Sequence, residues 1–207
     1  MYKSILLTIG LLLLVPHNVV AETVNRNQAD APFAVVELFT SEGCSSCPPA
    51  ESNLVYFTEK ARTEGKRIFP IELHVDYWDY LGWKDPFAQN KFTQRQRMYA
   101  QLKRLSSIYT PHMIINGKHM PPGYDRKKAE KLIAEELQNP AASHLSLKLI
   151  EKNTQTIALD YSLGGKHQGY LLNLSLVQRK LANQVTAGEN RGRTLSHANV
   201  ALTFDTY

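Results

Sequence analysis

SEGCSSCPPAE, residues 41–51, contains both cysteines of the 207-residue chain, Cys44 and Cys47, three positions apart and directly before two prolines. Pro48 and Pro49 have no backbone N–H and disfavour helical geometry at the residue before each, so a helix tolerates them only in its first turn. Apolar residues then recur at helical spacing as far as Gly65, which is placed to end the helix. The sequence therefore predicts that the two cysteines lie where the chain enters a helix.

The segments around this helix predict an alternation of strands and helices. Residues 33–39 form an apolar run broken only by Glu37, which predicts a buried strand before the cysteines. The Asn-Gly pair at 116–117 fits a type I′ turn and predicts a hairpin that begins at Pro111. Asp125 is placed to cap a further helix. The predicted elements are strands at 33–39, at 68–75 and on either side of the Asn-Gly turn, with helices at 50–65, about 88–105 and from 125 onward.

After residue 140 the apolar pattern changes from helical to alternating. Leucines and other apolar residues alternate with polar ones in four runs, which predict an antiparallel sheet with one buried face. We therefore expect an α/β domain with the element order βαβαββα at 33–139 and an antiparallel β-rich C-terminal extension at 140–207.

The first 21 residues have the features of a secretory signal peptide. Lys3 precedes an apolar run at 5–15 that is too short to span a bilayer comfortably, and small residues end at Ala21. Residues 22–32 predict a mobile leader. No other stretch is long and apolar enough to cross a membrane, so we expect a periplasmic or secreted protein without a stable membrane span after cleavage. Such compartments are oxidising.

The basic residues do not predict nucleic-acid binding. The formal net charge is +5, and the densest group, at residues 95–104, lies in one helical pattern. No aromatic residues interleave with these charges as stacking platforms, so a solvated helix face is expected.

Three kinds of chemistry are open to the cysteine pair, and the first is a structural disulfide. A ring of four residues closes almost no loop and therefore removes little entropy from the unfolded chain. A binding module that carries a structural disulfide stays as one alternative.

The second is a metal site. Two thiolates at this spacing are half of a tetrahedral site, and the chain has no second cysteine pair. A histidine such as His74 can complete a zinc site, and Met113 can supply a thioether for copper(I). Copper or zinc binding through Cys44, Cys47, His74 and Met113 is therefore the main alternative function.

The third is reversible thiol–disulfide exchange. Backbone N–H groups at a helix N-terminus and the helix dipole favour a thiolate, which makes Cys44 the attacking sulfur and an exposed one. Cys47, one turn further, is placed to resolve a mixed disulfide. The combination of a strand, the CxxC pair and a helix favours this chemistry over a chance spacing.

Residues 33–137 resemble the thioredoxin superfamily in their order of elements, their dithiol and their proline, which implies a thioredoxin-like three-layer α/β/α domain. The chain is more closely similar to a secreted bacterial thioredoxin-like family catalogued as a domain of unknown function. The resemblance rests on four stretches of the sequence, which are VELFTSEGCSSCPPAE, HVDYWDYLGWKDPF, YTPHMIINGK and GENRGRTLSHANV.

This resemblance implies roles for three residues. In thioredoxin-like folds a cis-proline lies beside the CxxC pair, which implies a cis Thr110–Pro111 bond, and the backbone before it pairs with substrate. Thioredoxins also carry a buried acid before the first cysteine. Glu37 lies near that place, but its spacing from the first cysteine is one residue longer. The resemblance implies that Glu37 accepts the proton of Cys47 during resolution, and the alternative is a glutamate at a sheet edge.

The aromatic loop at 76–87 follows the second predicted strand at the edge where such folds present their dithiol. Trp78, Trp83 and Asp76 can form a substrate-binding wall there, or the loop can cover the core. Ser45 and Ser46 replace the Gly-Pro of ordinary thioredoxins between the cysteines.

Together these features predict an exported thiol–disulfide oxidoreductase. Its catalytic residues would be Cys44, Cys47, Pro111 and Glu37, and its substrates exported proteins with accessible cysteines. Exchange needs a redox partner protein but no cofactor, because the two sulfurs carry the electrons.

Overall fold

The computed structural model describes residues 3–8, 31–141, 143–153, 156–165 and 168–207. Its strands are β1 (Lys3–Thr8), β2 (Ala34–Thr40), β3 (Ile68–His74), β4 (His112–Ile115), β5 (Ser143–Lys152), β6 (Thr156–Gly165), β7 (Asn173–Gln184) and β8 (Thr194–Thr206). Its helices are α1 (Pro48–Glu64), α2 (Asn90–Leu102) and α3 (Arg126–Glu136), with a short 3₁₀ turn at Asp79–Leu81. The chain forms two compact units, Pro32–Asn139 with Leu171–Tyr207, and Met1–Ala31 with Pro140–Tyr170.

The larger unit is built on a five-stranded mixed sheet in the order β4-β2-β3-β8-β7. β2 and β3 are parallel, as are β3 and β8, whereas β4 and β7 are antiparallel to their neighbours. Val36 and Leu38 of β2 pack in one apolar cluster with side chains of α1 and α3. Phe39 packs in a second cluster with Phe92 and Tyr99 of α2. Because side chains alternate across a strand, β2 is covered on both faces, and the unit has three α/β/α layers.

Helix α1 begins and ends where the sequence predicts. Pro48 and Pro49 occupy its first two positions, and Gly65 caps its end with a left-handed φ of 61°. Glycine adopts this conformation without steric cost, which is why it often ends a helix. Leu54 and Phe57 are fully buried against the sheet.

The inner face of α2 agrees only in part with the one that apolar periodicity predicts. Periodicity places Phe92, Met98 and Leu102 inside; Phe92 is fully buried, but Met98 and Leu102 are 40% and 69% exposed. Gln96 is buried instead, because its amide finds a partner in the backbone carbonyl oxygen of Tyr109 at 2.6 Å. A buried polar side chain with a satisfied hydrogen bond is invisible to a count of apolar positions.

The predicted hairpin and third helix are confirmed. Asn116 and Gly117 both have positive φ, 48° and 66°, as a type I′ turn requires. Asp125 accepts a hydrogen bond from the backbone N–H of Lys128 and so caps α3.

The strands after residue 140 are divided between the two units, whereas the sequence groups them in one extension. β7 and β8 complete the main sheet, where β8 lies between β3 and β7. β5 and β6 join β1 in a separate three-stranded antiparallel sheet, in which Leu145 and Leu147 remain 39% and 41% exposed. Alternation of apolar residues predicts that strands exist but not which strands pair, because pairing depends on contacts far apart in sequence.

The expected signal peptide and leader lie outside the described residues, apart from β1 and the last two leader residues. β1 pairs with β6, from Lys3 opposite Tyr161 to Thr8 opposite Thr156. Within the described part of the chain, no helix has the length and apolar character needed to span a membrane.

Candidate redox site

Cys44 and Cys47 form a disulfide at the N-terminus of α1. Two consecutive turns lead into the helix. The N–H of Cys44 donates to the carbonyl oxygen of Ser41 at 3.1 Å, and the N–H of Cys47 donates to that of Cys44 at 3.2 Å. Cys47 is the N-cap residue, so the helix begins directly behind the disulfide.

Both cysteines are fully buried, which corrects the expectation that Cys44 is exposed. The exposed residues of the loop are Ser45 and Ser46 between them, and the hydroxyl of Ser46 lies 3.3 Å from Sγ of Cys44. The expectation failed because the sequence around the cysteines does not reveal which distant segments pack on the loop.

One of these distant segments lies between β7 and β8. The side-chain amide of Asn190 donates to the carbonyl oxygens of Glu42 and Cys44, at 2.9 and 2.8 Å. The carboxylate of Glu189 accepts from the backbone N–H of Ser45 at 2.9 Å. Arg193 donates to Oδ1 of Asn190 at 2.8 Å and so holds its amide in this orientation. These contacts give the stretch GENRGR at 188–193 a role that the sequence did not predict, which is to hold the dithiol loop.

The aromatic loop connects the disulfide with the proline segment. Nε1 of Trp78 donates to Oγ1 of Thr110 at 2.7 Å. A Cβ atom built on Gly43 would lie 3.3 Å from Cβ of Trp78, so this tryptophan packs directly against the residue before Cys44. The structure therefore places Trp78 and Thr110 next to the dithiol loop, and their role in substrate binding stays a prediction.

The Thr110–Pro111 peptide bond is cis, as the resemblance implies. Pro111 lies near the first turn of α1, since a Cβ atom built on Gly123 would meet both Cβ of Ala50 at 2.9 Å and Cβ of Pro111 at 3.4 Å. The dithiol helix and the proline segment are therefore neighbours.

Trp83 and Asp76 have structural partners in the same loop region. Nε1 of Trp83 donates to Oε2 of Glu42 at 2.9 Å. Asp76 accepts from Thr93 and Asn90 at 2.6 and 3.0 Å and so anchors the start of α2. Partial burial acts against ionisation, but these hydrogen bonds hold the pKa of Asp76 below its usual range.

Glu37 has other partners than the cysteines. It is buried on the face of β2 that packs against α2, where Nε of Arg95 and the hydroxyl of Tyr99 donate to its two oxygens. Burial, followed by the charge of Glu37, raises the pKa of Tyr99. The role of Glu37 as proton acceptor for Cys47 stays a prediction, and the ion pair gives its carboxylate a structural function.

A second group of buried acids lies behind the dithiol loop, together with two histidines. Nε2 of His197 lies 3.1 Å from Oε1 of Glu42, and its Nδ1 lies 3.3 Å from Oε1 of Glu72. Burial opposes the charge on His197, but the hydrogen bonds to these two carboxylates raise its pKa to about 10. Nδ1 of His74 lies 2.8 Å from Oδ2 of Asp85. We call these five side chains the acid–histidine cluster.

Glu51 of α1 adjoins the acid–histidine cluster and accepts a hydrogen bond from Thr40 at 2.6 Å. Burial, and then the charge of Glu72, raise the pKa of Glu51 to about 7. Sequence reasoning missed this acid and every member of the cluster except His74. Glu72 has one signal, which is a charged residue in the otherwise apolar strand β3, whereas Glu42 and Asp85 lie in loops and Glu51 lies in α1.

The structure does not assemble the metal site that the sequence offers as an alternative. Met113 is buried in the apolar cluster of α1 and α3. Among the described residues, the group able to offer three ligand atoms to an ion is Glu72, His74 and His197, without either cysteine.

Fold and site together define a mixed α/β protein with a CxxC disulfide at the N-terminus of a helix. The chain belongs to the family described as "Protein of unknown function (DUF1223)", whose model matches residues 35–206. No curated protein matches it.

Two solved structures are similar in fold. The crystal structure of protein AGR_C_4864 from Agrobacterium tumefaciens has a TM-score of 0.60 and 24% sequence identity, over 86% of this chain and 73% of that one. HBP35 of Porphyromonas gingivalis has a TM-score of 0.57 and 16% identity, over 85% of this chain. The match covers 57% of HBP35.

Proposed function

We propose that this protein is an exported thiol–disulfide oxidoreductase that exchanges disulfides with other exported proteins through Cys44 and Cys47. The observation that carries the proposal is the disulfide itself, which closes a ring of four residues at the first turn of α1. A ring of this size removes little entropy from the unfolded chain, so stabilisation is a weak reason for its presence. A helix N-terminus is the environment that favours an attacking thiolate.

The exchange needs no cofactor and moves two electrons. In the oxidising direction, a substrate thiolate attacks Sγ of Cys44, and Cys47 leaves as a thiolate. A second substrate thiolate then attacks the substrate sulfur of the mixed disulfide, and Cys44 leaves. In the reducing direction the Cys44 thiolate attacks a substrate disulfide, one substrate sulfur leaves, and Cys47 resolves the mixed disulfide.

Burial of both sulfurs means that exchange requires a local opening of the dithiol loop. The hydrogen bonds that Asn190 and Glu189 make to this loop resist that opening. A substrate that binds the loop in its open form would shift the population toward it. The GENRGR segment thus sets how readily the disulfide is reached.

An extended substrate segment would pair with the backbone at Thr110. This residue lies beside Trp78, which itself packs on the dithiol loop, so a strand added there would bring a substrate cysteine toward Cys44. The carbonyl oxygen of Tyr109 is already bonded to Gln96, which leaves Thr110 as the pairing position. Trp78 would then form part of the substrate-binding wall.

The test combines a redox titration with trapping. We expect the Cys44–Cys47 pair to equilibrate with glutathione buffers, and a Cys47→Ala variant to accumulate mixed disulfides through Cys44 with exported proteins. A Cys44→Ala/Cys47→Ala variant is the control and should trap nothing. A disulfide that stays oxidised below about −300 mV, as structural disulfides do, together with no trapped partner, would support the binding-module alternative instead.

A further inference from the structure

The acid–histidine cluster contains three side chains that converge on one point. Glu72 and His74 lie two residues apart on β3, and His197 lies on the neighbouring strand β8. Each offers one ligand atom, and these atoms lie within 4.8 Å of one another. The exposed fractions of the three residues are 0%, 0% and 3%.

The two histidines of this group are held by carboxylates on their outer nitrogens. Asp85 lies on Nδ1 of His74 at 2.8 Å, and Glu42 lies on Nε2 of His197 at 3.1 Å. A carboxylate on the outer ring nitrogen is the usual support of a metal-binding histidine, because it fixes the orientation of the ring.

The opposite nitrogen of His74 has no hydrogen-bond partner. Its Nε2 is fully buried, and within the described chain nothing donates to it or accepts from it. Buried polar atoms are nearly always paired, so an unpaired imidazole nitrogen beside a buried carboxylate calls for a missing partner.

One distance in the group matches metal coordination directly. Nδ1 of His197 and Oε1 of Glu72 are 3.3 Å apart. Two ligands of a tetrahedral Zn²⁺ ion at about 2.0–2.1 Å from the metal are themselves separated by about 3.3–3.4 Å. The pair therefore needs little movement to bind an ion.

We propose that Glu72, His74 and His197 form a zinc-binding site, through Oε1, Nε2 and Nδ1 respectively. Two imidazoles and one carboxylate are a ligand set of zinc sites that have three protein ligands and an open fourth position. The ion partly balances the negative charge of the carboxylates of Glu42, Glu72 and Asp85, which lie on the same two histidines.

A groove borders this site on one side of the larger unit, but the side chains of Glu72, His74 and His197 are fully buried, so entry of an ion requires local opening. An open groove of about 370 Å³ lies between α1 and the β7–β8 pair, and His197 forms part of its lining. Glu42, two residues before Cys44, supports His197, so the ion would also stiffen the base of the dithiol loop.

The experiment uses the full chain with Cys44→Ser and Cys47→Ser, so that the thiols cannot bind metal. After removal of metal by a chelator, Zn²⁺ is titrated by calorimetry, and Co²⁺ is added to a second sample for its absorption spectrum. We expect one ion per chain and a spectrum of nitrogen and oxygen ligands without sulfur charge transfer. His197→Gln should weaken binding at least 100-fold, and Asp85→Asn about 10- to 100-fold.

The matched control is His119→Gln, which removes a histidine that pairs with a glutamate, Glu136, at 3.0 Å elsewhere in the unit. Its affinity should equal that of the parent. Absence of stoichiometric binding in the parent, or binding that persists in His197→Gln, overturns the proposal. The proposal is also overturned if the wild-type chain binds zinc but the Cys44→Ser/Cys47→Ser chain does not. If a variant does not fold, the Co²⁺ spectrum of the parent decides alone.

Discussion

Two groups of buried carboxylates in the larger unit are neutralised in different ways. Glu37 pairs with Arg95, whose guanidinium is charged at every accessible pH. Glu42 and Glu72 are paired with His197, which can gain or lose a proton or exchange it for a metal ion. The charge on the partner of Glu37 is therefore permanent, whereas the partner of Glu42 and Glu72 can change its protonation or bind a metal ion. The buried acid that the sequence singled out, Glu37, is the one with the fixed partner.

Removing the cation from the fixed pair should have the largest effect. Arg95→Met leaves the carboxylate of Glu37 buried without its partner, which typically costs about 3–5 kcal/mol. We expect this loss in the free energy of unfolding at neutral pH, measured by urea denaturation. Arg97→Met on the exposed face of the same helix is the control and should change stability by less than about 0.5 kcal/mol. Equal stability of the two variants would show that the Glu37–Arg95 pair contributes nothing.

His112, which has no acid beside it in the described part of the chain, shows the opposite pH behaviour from His197. His112 packs between the rings of Tyr109 and Phe39, and burial lowers its pKa from 6.5 to about 4. Between these two pH values the unfolded chain therefore binds a proton at His112 more readily than the folded protein does. The contribution of neutral His112 to stability is complete above pH 6.5 and is lost as the pH falls toward 4. This contribution corresponds to about 3 kcal/mol.

The His112→Phe variant tests this shift. The difference in unfolding free energy between the variant and the wild type should grow by about 3 kcal/mol between pH 7 and pH 4. Comparison of the two proteins removes the contribution of the carboxyl groups that titrate in both. A difference that stays constant over this range would mean that the pKa of His112 is the same in the folded and the unfolded protein.

The contacts that close the dithiol loop should have an intermediate effect. Asn190→Ala removes two hydrogen bonds to the backbone of the loop, which contribute about 1–2 kcal/mol in total. The open form should then be about 5- to 30-fold more populated, and reduction of the disulfide by a small thiol should be faster by the same factor. Asn139→Ala, which removes an exposed hydrogen bond at the end of α3, should leave the rate unchanged.

The smallest effect is expected for the contact between the aromatic loop and the proline segment. Trp78→Phe keeps an aromatic ring but removes the hydrogen bond to Thr110, at a cost of about 1 kcal/mol. Exchange with a protein substrate should slow about fivefold, while reduction of a small disulfide should not change. If both rates fall together, Trp78 supports the dithiol loop and has no role in substrate binding.

The parts of this structure that the sequence predicts are those with local signals. The cysteines and the two prolines mark the start of α1, and Gly65 marks its end. Asp125 marks the start of α3. Each of these signals acts through backbone geometry or a cap within one helical turn, so it can be recognised without knowledge of the fold.

The partners of the site could not be predicted in this way. Asn190 is 146 residues from Cys44 in sequence, and His197 is 155 residues from Glu42. Both come from the segment of β8 and its preceding loop, and only the pairing of β8 with β3 brings them to the site. The alternating pattern of β8 predicts a strand but contains no information about its neighbour.

The position of β8 also has a consequence for the order in which the molecule is made. A chain that emerges from its N-terminus onward presents β3 with an open edge until residues 194–206 have been delivered, because those residues supply the strand beside it. The dithiol loop likewise waits for Asn190. A newly made chain therefore leaves its cysteines without this cover until the final strand has been delivered.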